Sequence, residues 1–199
     1  MDCLVNLIHP YTYRLQGNGL IIGPMEEFCE RDFMAAEFLT RALERGKVLH
    51  CRDQPERSLR GILVQTAFMG SPLYHVLADS RMKSVVIPVH GIPLPETRPE
   101  QISHDIWCQL QGIYASHRQL QQEVGQPQNV FFIGGMLENC VTSAAFYHSQ
   151  FFRSHAQQLY YVPELCATRD VGDRKITEEK FQQQNIHPLT FAEALELMT

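Results

Sequence analysis

Short apolar runs alternate with amphipathic stretches along most of this chain. The runs that predict strands are 3–8, 47–51, 84–89, 130–133 and 159–167. Between the first two runs, residues 31–45 place their apolar side chains at helical spacing, and Gly46 supplies a stop. This alternation predicts an α/β fold, a three-layer sandwich with a mostly parallel central sheet, in one domain spanning 1–199.

The remaining pattern completes a coarse outline of the chain. Residues 13–24 predict a loop with a short extended piece, 63–68 predict a strand or a short helix, and 72–77 predict a helical turn. A long amphipathic helix is predicted over 101–124 and a short polar helix over 177–184. Pro188 makes the last strand, 186–189, short or peripheral. Thr190 and Glu193 have the spacing of a capping box that opens a closing helix.

The stretch from the fourth strand to Cys140 carries the candidate chemistry. Gly134 and Gly135 follow the strand and free the backbone for a tight turn, and the spacing after Cys140 predicts a helix. A thiol at a helix start is biased towards thiolate, and the N–H groups there can hold an oxyanion. The pattern predicts a nucleophile at Cys140, or else a small buried apolar side chain, which is what most free cysteines are.

Residues 134–141, with Ala144 and Ala145, resemble the cysteine motif of the isochorismatase-like hydrolases, which include nicotinamidases, N-carbamoyl amidases and isochorismatases. The resemblance implies a Rossmann-like sheet and a cis peptide between Gly135 and Met136. It also implies that backbone groups of Gly135, Met136 and Asn139 form the oxyanion site. Residues 159–167 resemble the next strand of that family, with Glu164 at its acidic position.

Residues 3–11 resemble the family's first strand, which ends in an Asp-x-Gln-x-x-aromatic pattern whose Asp is the general base. Asn6 stands at the Asp position, Ile8 replaces the Gln, and Tyr11 stands at the aromatic position as a substrate contact. An amide cannot take a proton as a carboxylate does. The resemblance therefore implies that Asn6 orients the thiol or the attacking water.

Two further family positions depart from the pattern. The catalytic Lys expected in the middle third is missing, since the sequence has no lysine between Lys83 and Lys175. The nearest substitute is Arg98, in the proline-rich 90–99 loop, as a substrate contact. Asp53 matches a position that belongs to a metal site in nicotinamidases, but Pro55 stands where their His would be. We expect no metal and no cofactor.

Two functions remain open from the sequence. In the first, the protein is a cysteine hydrolase acting on a small amide-like or related substrate. In the second, it is a catalytically degraded relative that acts as a ligand-binding or protein-interaction module, because residues that act as a unit have been lost.

Composition limits the partners. The net charge of −5 and the absence of a basic cluster argue against nucleic acid, and no apolar run is long enough for a membrane span. Six cysteines without a CxxC pair are typical of reduced thiols, which predicts a cytoplasmic protein. Phe146, Tyr147, Phe151 and Phe152 predict an aromatic surface for a homo-oligomer.

Overall fold

A computed structural model describes residues 3–8, 15–16, 19–20, 25–52, 72–86, 126–151, 153–154, 156–168 and 171–199. The strands are β1 (Cys3–Ile8), β2 (Leu15–Gln16), β3 (Gly19–Leu20), β4 (Lys47–Arg52), β5 (Lys83–Val86), β6 (Asn129–Gly135), β7 (Gln158–Ala167) and β8 (Ile186–Pro188). The helices are α1 (Met25–Arg45), α2 (Pro72–Leu77), α3 (Thr142–Phe151), α4 (Val171–Gln183) and α5 (Phe191–Glu196). A wide π-type turn, Leu137–Val141, leads from β6 into α3.

The main sheet has the strand order β5–β4–β1–β6–β7–β8, and each neighbouring pair in it is parallel. The predicted mostly parallel sheet is confirmed. From β1 the chain builds outwards through β4 and β5, and then returns to the other side of β1 with β6. Strand order therefore reverses between β1 and β6. The β2 and β3 segments form a separate antiparallel pair.

Helices cover both faces of the sheet, and its strands are therefore buried on both sides. On one face, Val5 and Leu7 of β1 pack in a cluster with Phe38 and Leu39 of α1. On the other, Leu4 and Ile8 of β1 belong to a cluster that includes side chains of the π-type turn, α3 and α4. Its members from those elements are Leu137, Cys140, Val141, Ala145 and Phe181. The three-layer arrangement predicted from the sequence is thus observed.

Two helices begin earlier than their apolar spacing predicted. Helix α1 begins at Met25 instead of residue 31, and α4 begins at Val171 instead of residue 177. The first turns of both are rich in charged residues, so apolar periodicity misses them. Local propensity extends α1, since Met and Glu are good helix formers. Tertiary packing anchors α4, whose Thr177 and Phe181 are buried.

Two predictions for the end of the chain are confirmed. The capping box at Thr190 and Glu193 is formed, and β8 is an edge strand that contains Pro188. The predicted elements at 63–68 and 101–124, the 90–99 loop and the end of the 84–89 strand lie outside the described residues. In the part of the chain that is described, no helix has the length and apolar character needed to cross a bilayer.

Candidate active site

The carboxyl ends of β1 and β6 lie side by side at the point where strand order reverses. Ile8, the last residue of β1, pairs with Gly134 of β6. In open parallel sheets, this kind of crevice is where ligands bind. Cys140 lies in the turn Leu137–Val141, which follows the carboxyl end of β6, and is therefore placed at this edge of the sheet.

Gly134 allows the two strand ends to approach closely. Its φ of +119° is in a region that L side chains rarely adopt. A Cβ at Gly134 would overlap the carbonyl oxygen of Ile8 and come within 2.7 Å of its carbonyl carbon. The next peptide bond, between Gly135 and Met136, is cis, as the family resemblance implied.

The turn that carries Cys140 is wider than the predicted helix start. The N–H groups of Asn139 and Val141 both donate to the Met136 carbonyl, each at 3.1 Å. Thr142 follows the turn, and its N–H donates to the carbonyls of Leu137 and Asn139. Its hydroxyl also donates to the Leu137 carbonyl oxygen, at 2.5 Å. Cys140 therefore lies within a π-type turn that continues as α3, and the N–H of Asn139 already serves this turn.

Cys140 is buried but keeps 7% of its surface exposed, among side chains that include Leu137 and Val141. Cys166, at the end of the neighbouring strand β7, is different. Its Sγ lies 3.8 Å from the Phe132 carbonyl oxygen, and complete burial raises the pKa of the Cys166 thiol to about 12. Cys166 is thus held as a thiol, and Cys3 lies at the amino end of β1, away from this edge.

Asn6 lies on the face of the sheet that carries Cys140. Residues alternate between faces along a strand, and Asn6 shares its face with Leu4 and Ile8, which belong to the Cys140 cluster. Asn6 is 4% exposed, and its Nδ2 has no hydrogen-bond partner. The structure therefore brings the two principal site residues of the sequence analysis to one face at the reversal point.

His148 lies on α3, two turns beyond Cys140. Its ring packs edge-on against Phe132, with 5.5 Å between ring centroids, and the residue is buried. The His148 ring therefore packs against the sheet. Phe146 of the predicted aromatic surface packs its ring against Phe181 at 5.9 Å, so at least this ring is partly committed to the core. Self-association remains a prediction.

Glu164, at the family's acidic position, serves the fold. Its carboxylate accepts the N–H of Phe191 at 3.1 Å, and its backbone carbonyl accepts Nε of Arg31 at 3.2 Å. These bonds hold a stretch of β7 where the register against β6 shifts, between the pairs Phe132–Tyr161 and Gly134–Cys166. Pro163 lies in this irregular stretch, where a missing N–H is tolerated.

One buried charged residue was not found by sequence reasoning. Asp32 of α1 is only 1% exposed, and it lies on the buried side of α1 with Ala35 and Leu39. Because β1 and β4 are parallel, α1 must return from the carboxyl edge towards the amino edge, which places Asp32 in its half nearer the site. An acidic residue in register with an apolar helical stripe is the signal that could have found it.

Two predicted site residues, Tyr11 and Arg98, lie outside the described residues, and so do Asp53 and Pro55, where we expect no metal site. Backbone positions of Gly135, Met136 and Asn139 are described and surround the start of the turn. Among the described side chains, no group of three or more His, Cys, Asp or Glu could hold a metal ion.

Comparison with solved structures identifies the fold. An isochorismatase family protein from Desulfovibrio vulgaris is similar with a TM-score of 0.61 at 14% identity, covering 98% of this chain and 97% of that one. The nicotinamidase of Staphylococcus aureus gives 0.52 at 13% identity, covering 94% and 98%. A MAR1 ribonuclease from Caenorhabditis elegans gives 0.55 at 12% identity, covering 99% and 80%. No protein-family model and no curated protein matches the sequence. The chain has the isochorismatase-like hydrolase fold.

Proposed function

We propose that this protein is a hydrolase of small carbonyl compounds, amide-like or related, in which Cys140 is the nucleophile. The observation that carries the proposal is the place of Cys140, in the turn that follows β6 at the point where strand order reverses. A ligand bound in the crevice between β1 and β6 would meet this thiol first.

The proposed chemistry is acyl transfer through a thioester. The Cys140 thiolate attacks the carbonyl carbon, the bond to the leaving group breaks as that group takes a proton from solvent water, and a second water hydrolyses the thioester to the acid and the free thiol. The first N–H groups of a helical segment have no intrahelical partner, so those at the start of the turn are the candidate oxyanion donors. Asn139 is a weaker candidate than the sequence predicted, because its N–H donates to the Met136 carbonyl.

Proton transfer is where this site differs from the family pattern. Asn6 is an amide and cannot accept the thiol proton. In our proposal Cys140 loses its proton to solvent water before the attack, helped by the positive end of the helical segment. Asn6 acts as a positioning group instead of a base.

A small-molecule substrate fits the chain better than a nucleic acid. One similar structure is a nicotinamidase, named for an amide, and another is a ribonuclease. The net charge of −5 would repel a polyphosphate backbone. We therefore propose a small carbonyl compound as the substrate class.

A second function is favoured by one specific observation. The carboxylate expected on β1 is Asn6, and the sequence contains no lysine between Lys83 and Lys175. Since members of such a set act as a unit, losing two removes most activity. The alternative is a module that binds a small ligand or a protein partner at this site without turnover.

The two functions are separated by assaying a panel of amides and esters with the wild type, Cys140→Ala and Cys166→Ala. For a hydrolase, we expect turnover by the wild type and by Cys166→Ala, loss in Cys140→Ala, and an acyl mass increment on Cys140. Cys166→Ala is the matched control because that thiol is also buried at the same sheet edge. Absence of turnover and of any adduct in folded protein would favour the binding module.

The reactivity of Cys140 gives an independent test. Alkylation of an activated thiolate proceeds well below pH 8, whereas an ordinary thiol needs a higher pH. We expect the alkylated residue in native protein at pH 7 to be Cys140, identified by peptide mass. Modification of Cys140 only in denaturant would contradict the hydrolase.

A further inference from the structure

We propose that Asn6 is the substrate-recognising donor of this site, and that its side-chain N–H group binds an oxygen acceptor of a carbonyl compound held against Cys140. The proposal rests on the function proposed above and names its substrate class. That class is a neutral or anionic carbonyl compound, and amines and other cations are excluded from the position next to the sulfur.

The first step is the unusual state of the Asn6 side chain. It is 4% exposed, and its Nδ2 is a buried donor without a hydrogen-bond partner among the residues that the structure describes. Buried polar groups in proteins are almost always bonded, so an exception calls for an explanation. The Asn6 Nδ2 group would gain a hydrogen bond if a bound ligand placed an acceptor oxygen beside it.

The second step is that the sheet around Asn6 offers no side-chain acceptor. In register with Asn6 are Phe132 of β6 and Leu49 of β4, and both side chains are apolar. Its neighbours on the same face of β1, Leu4 and Ile8, are apolar too. Among the described residues, the side chains next to the donor in the sheet therefore cannot bond to it.

The third step is the position of this donor relative to the sulfur. Asn6 shares one face of the sheet with Leu4 and Ile8, which belong to the cluster of Cys140, near the point where strand order reverses between β1 and β6. A carbonyl carbon attacked by the thiol has its oxygen and any neighbouring acceptor within reach of the groups that surround the sulfur. Asn6 is neutral, and its Nδ2 group can donate a hydrogen bond to a carboxylate or a carbonyl oxygen, whereas an aspartate there would repel an anion.

The test uses two neutral alkylating probes on the full-length protein. Iodoacetamide carries a carbonyl acceptor next to its reactive carbon, and allyl bromide carries none. Both react with the same thiolate, so the ratio of their rates at Cys140 does not depend on how much thiol is ionised. For the wild type, we expect this ratio to exceed that of free N-acetylcysteine.

Two substitutions remove the donor in different ways. Asn6→Leu replaces it with an apolar group of similar size, and Asn6→Asp replaces it with an acceptor. Both should lower the ratio about fivefold, which is the effect of losing one hydrogen bond of typical net strength. The control is Asn185→Asp, at an exposed turn position, which should leave the ratio unchanged.

The outcomes distinguish this inference from the function on which it rests. If Cys140 in the folded wild type reacts with neither probe, the hydrolase proposal fails and the inference fails with it. If Cys140 reacts with both probes but Asn6→Leu and Asn6→Asp keep the wild-type ratio, the thiol proposal stands and Asn6 is not the donor. Should Asn6→Leu fail to fold, Asn6→Asp decides alone.

Discussion

At the scale of single residues, the geometry of the site depends on two positions that the sequence marks in different ways. Gly134 is marked by its place after a buried strand, and Asn6 by being polar within an apolar run. The structure gives both a physical reason. Gly134 leaves room for the backbone of Ile8, and Asn6 is a buried amide on the face of β1 that also carries Leu4 and Ile8.

Gly134→Ala should lower the free energy of unfolding by about 3 kcal/mol or more, measured by urea denaturation. Two costs add, the positive φ of 119° and the overlap of a new Cβ with the backbone of Ile8. Asn185→Ala isolates the first cost, because Asn185 has a φ of 52° at an exposed turn. That control should lose about 1 kcal/mol. Equal losses for the two variants would show that the strands can separate.

Asn6→Leu should raise the free energy of unfolding by about 1 kcal/mol, because it removes a buried donor that has no partner. Asn6→Ala should lower it, since the smaller side chain leaves a cavity. Thermal and urea denaturation of both variants measure the effect. A loss of stability in Asn6→Leu would mean that the amide makes a structural hydrogen bond, and would count against its role as a ligand donor.

At the scale of elements, apolar periodicity finds the elements with a buried face and misses features set by hydrogen bonding. The strands β1, β4 and β6 and most of α1 were predictable because their buried positions recur regularly. The π-type turn at Leu137–Val141 was not, because it depends on which carbonyl each N–H finds. The candidate nucleophile lies in this turn, so the sequence located Cys140 but not the hydrogen bonds of its backbone.

The capping box of α5 is one hydrogen-bonded feature that the sequence did predict. The Thr190 hydroxyl accepts the N–H of Glu193 at 3.3 Å, and the Glu193 carboxylate accepts the N–H of Thr190 at 2.8 Å. Thr190→Ala should lower the free energy of unfolding by about 1 kcal/mol and speed amide exchange in α5. Thr168→Ala, at an exposed position outside the helices, is the control.

The same box predicts a pH dependence. Hydrogen bonds from the side chain and backbone of Thr190 lower the pKa of Glu193 below its ordinary value of 4.5. Because the folded value is the lower one, the stabilisation is present above pH 4.5 and is lost as pH falls through the folded value. The gap in stability between wild type and Thr190→Ala should therefore narrow below pH 4, and a gap that stays constant would contradict the box.

At the scale of the whole molecule, the sequence predicted the layered α/β fold with its parallel sheet, while the roles of Asn6 and Cys140 stay predictions. The carboxyl ends of parallel strands lie at the same edge of a sheet, so residues that follow those ends come to that edge irrespective of the loops between them. Asp32 escaped notice because burial of a carboxylate runs against its usual solvent preference. Tyr11 and Arg98 lie outside the described residues, and their roles stay predictions.

The buried ionisable groups of the core predict how the whole molecule responds to alkali. Burial raises the pKa of Cys166 from its ordinary value of 9.0 to about 12, and burial, with a smaller contribution from Glu178, raises that of Tyr161 from 10.0 to about 12. In the unfolded chain both groups ionise near their ordinary values, so the unfolded state binds fewer protons above pH 9. Stability is therefore intact below pH 9 and falls as pH rises towards 12.

Urea denaturation at pH 8, 9, 10 and 11 measures this loss. Cys166 alone should contribute about 1.4 kcal/mol for each pH unit above 9, because one unit of pKa shift corresponds to that free energy. Cys166→Ala should flatten the curve between pH 9 and 10, where the Tyr161 hydroxyl is mostly protonated in both states because its ordinary pKa is 10.0. Tyr161→Phe, which keeps the ring against Phe181, should change the curve only above pH 10. If Cys166→Ala follows the wild type at every pH, the Cys166 thiol ionises alike in the folded and unfolded chain, and it would then compete with Cys140 for alkylating reagents.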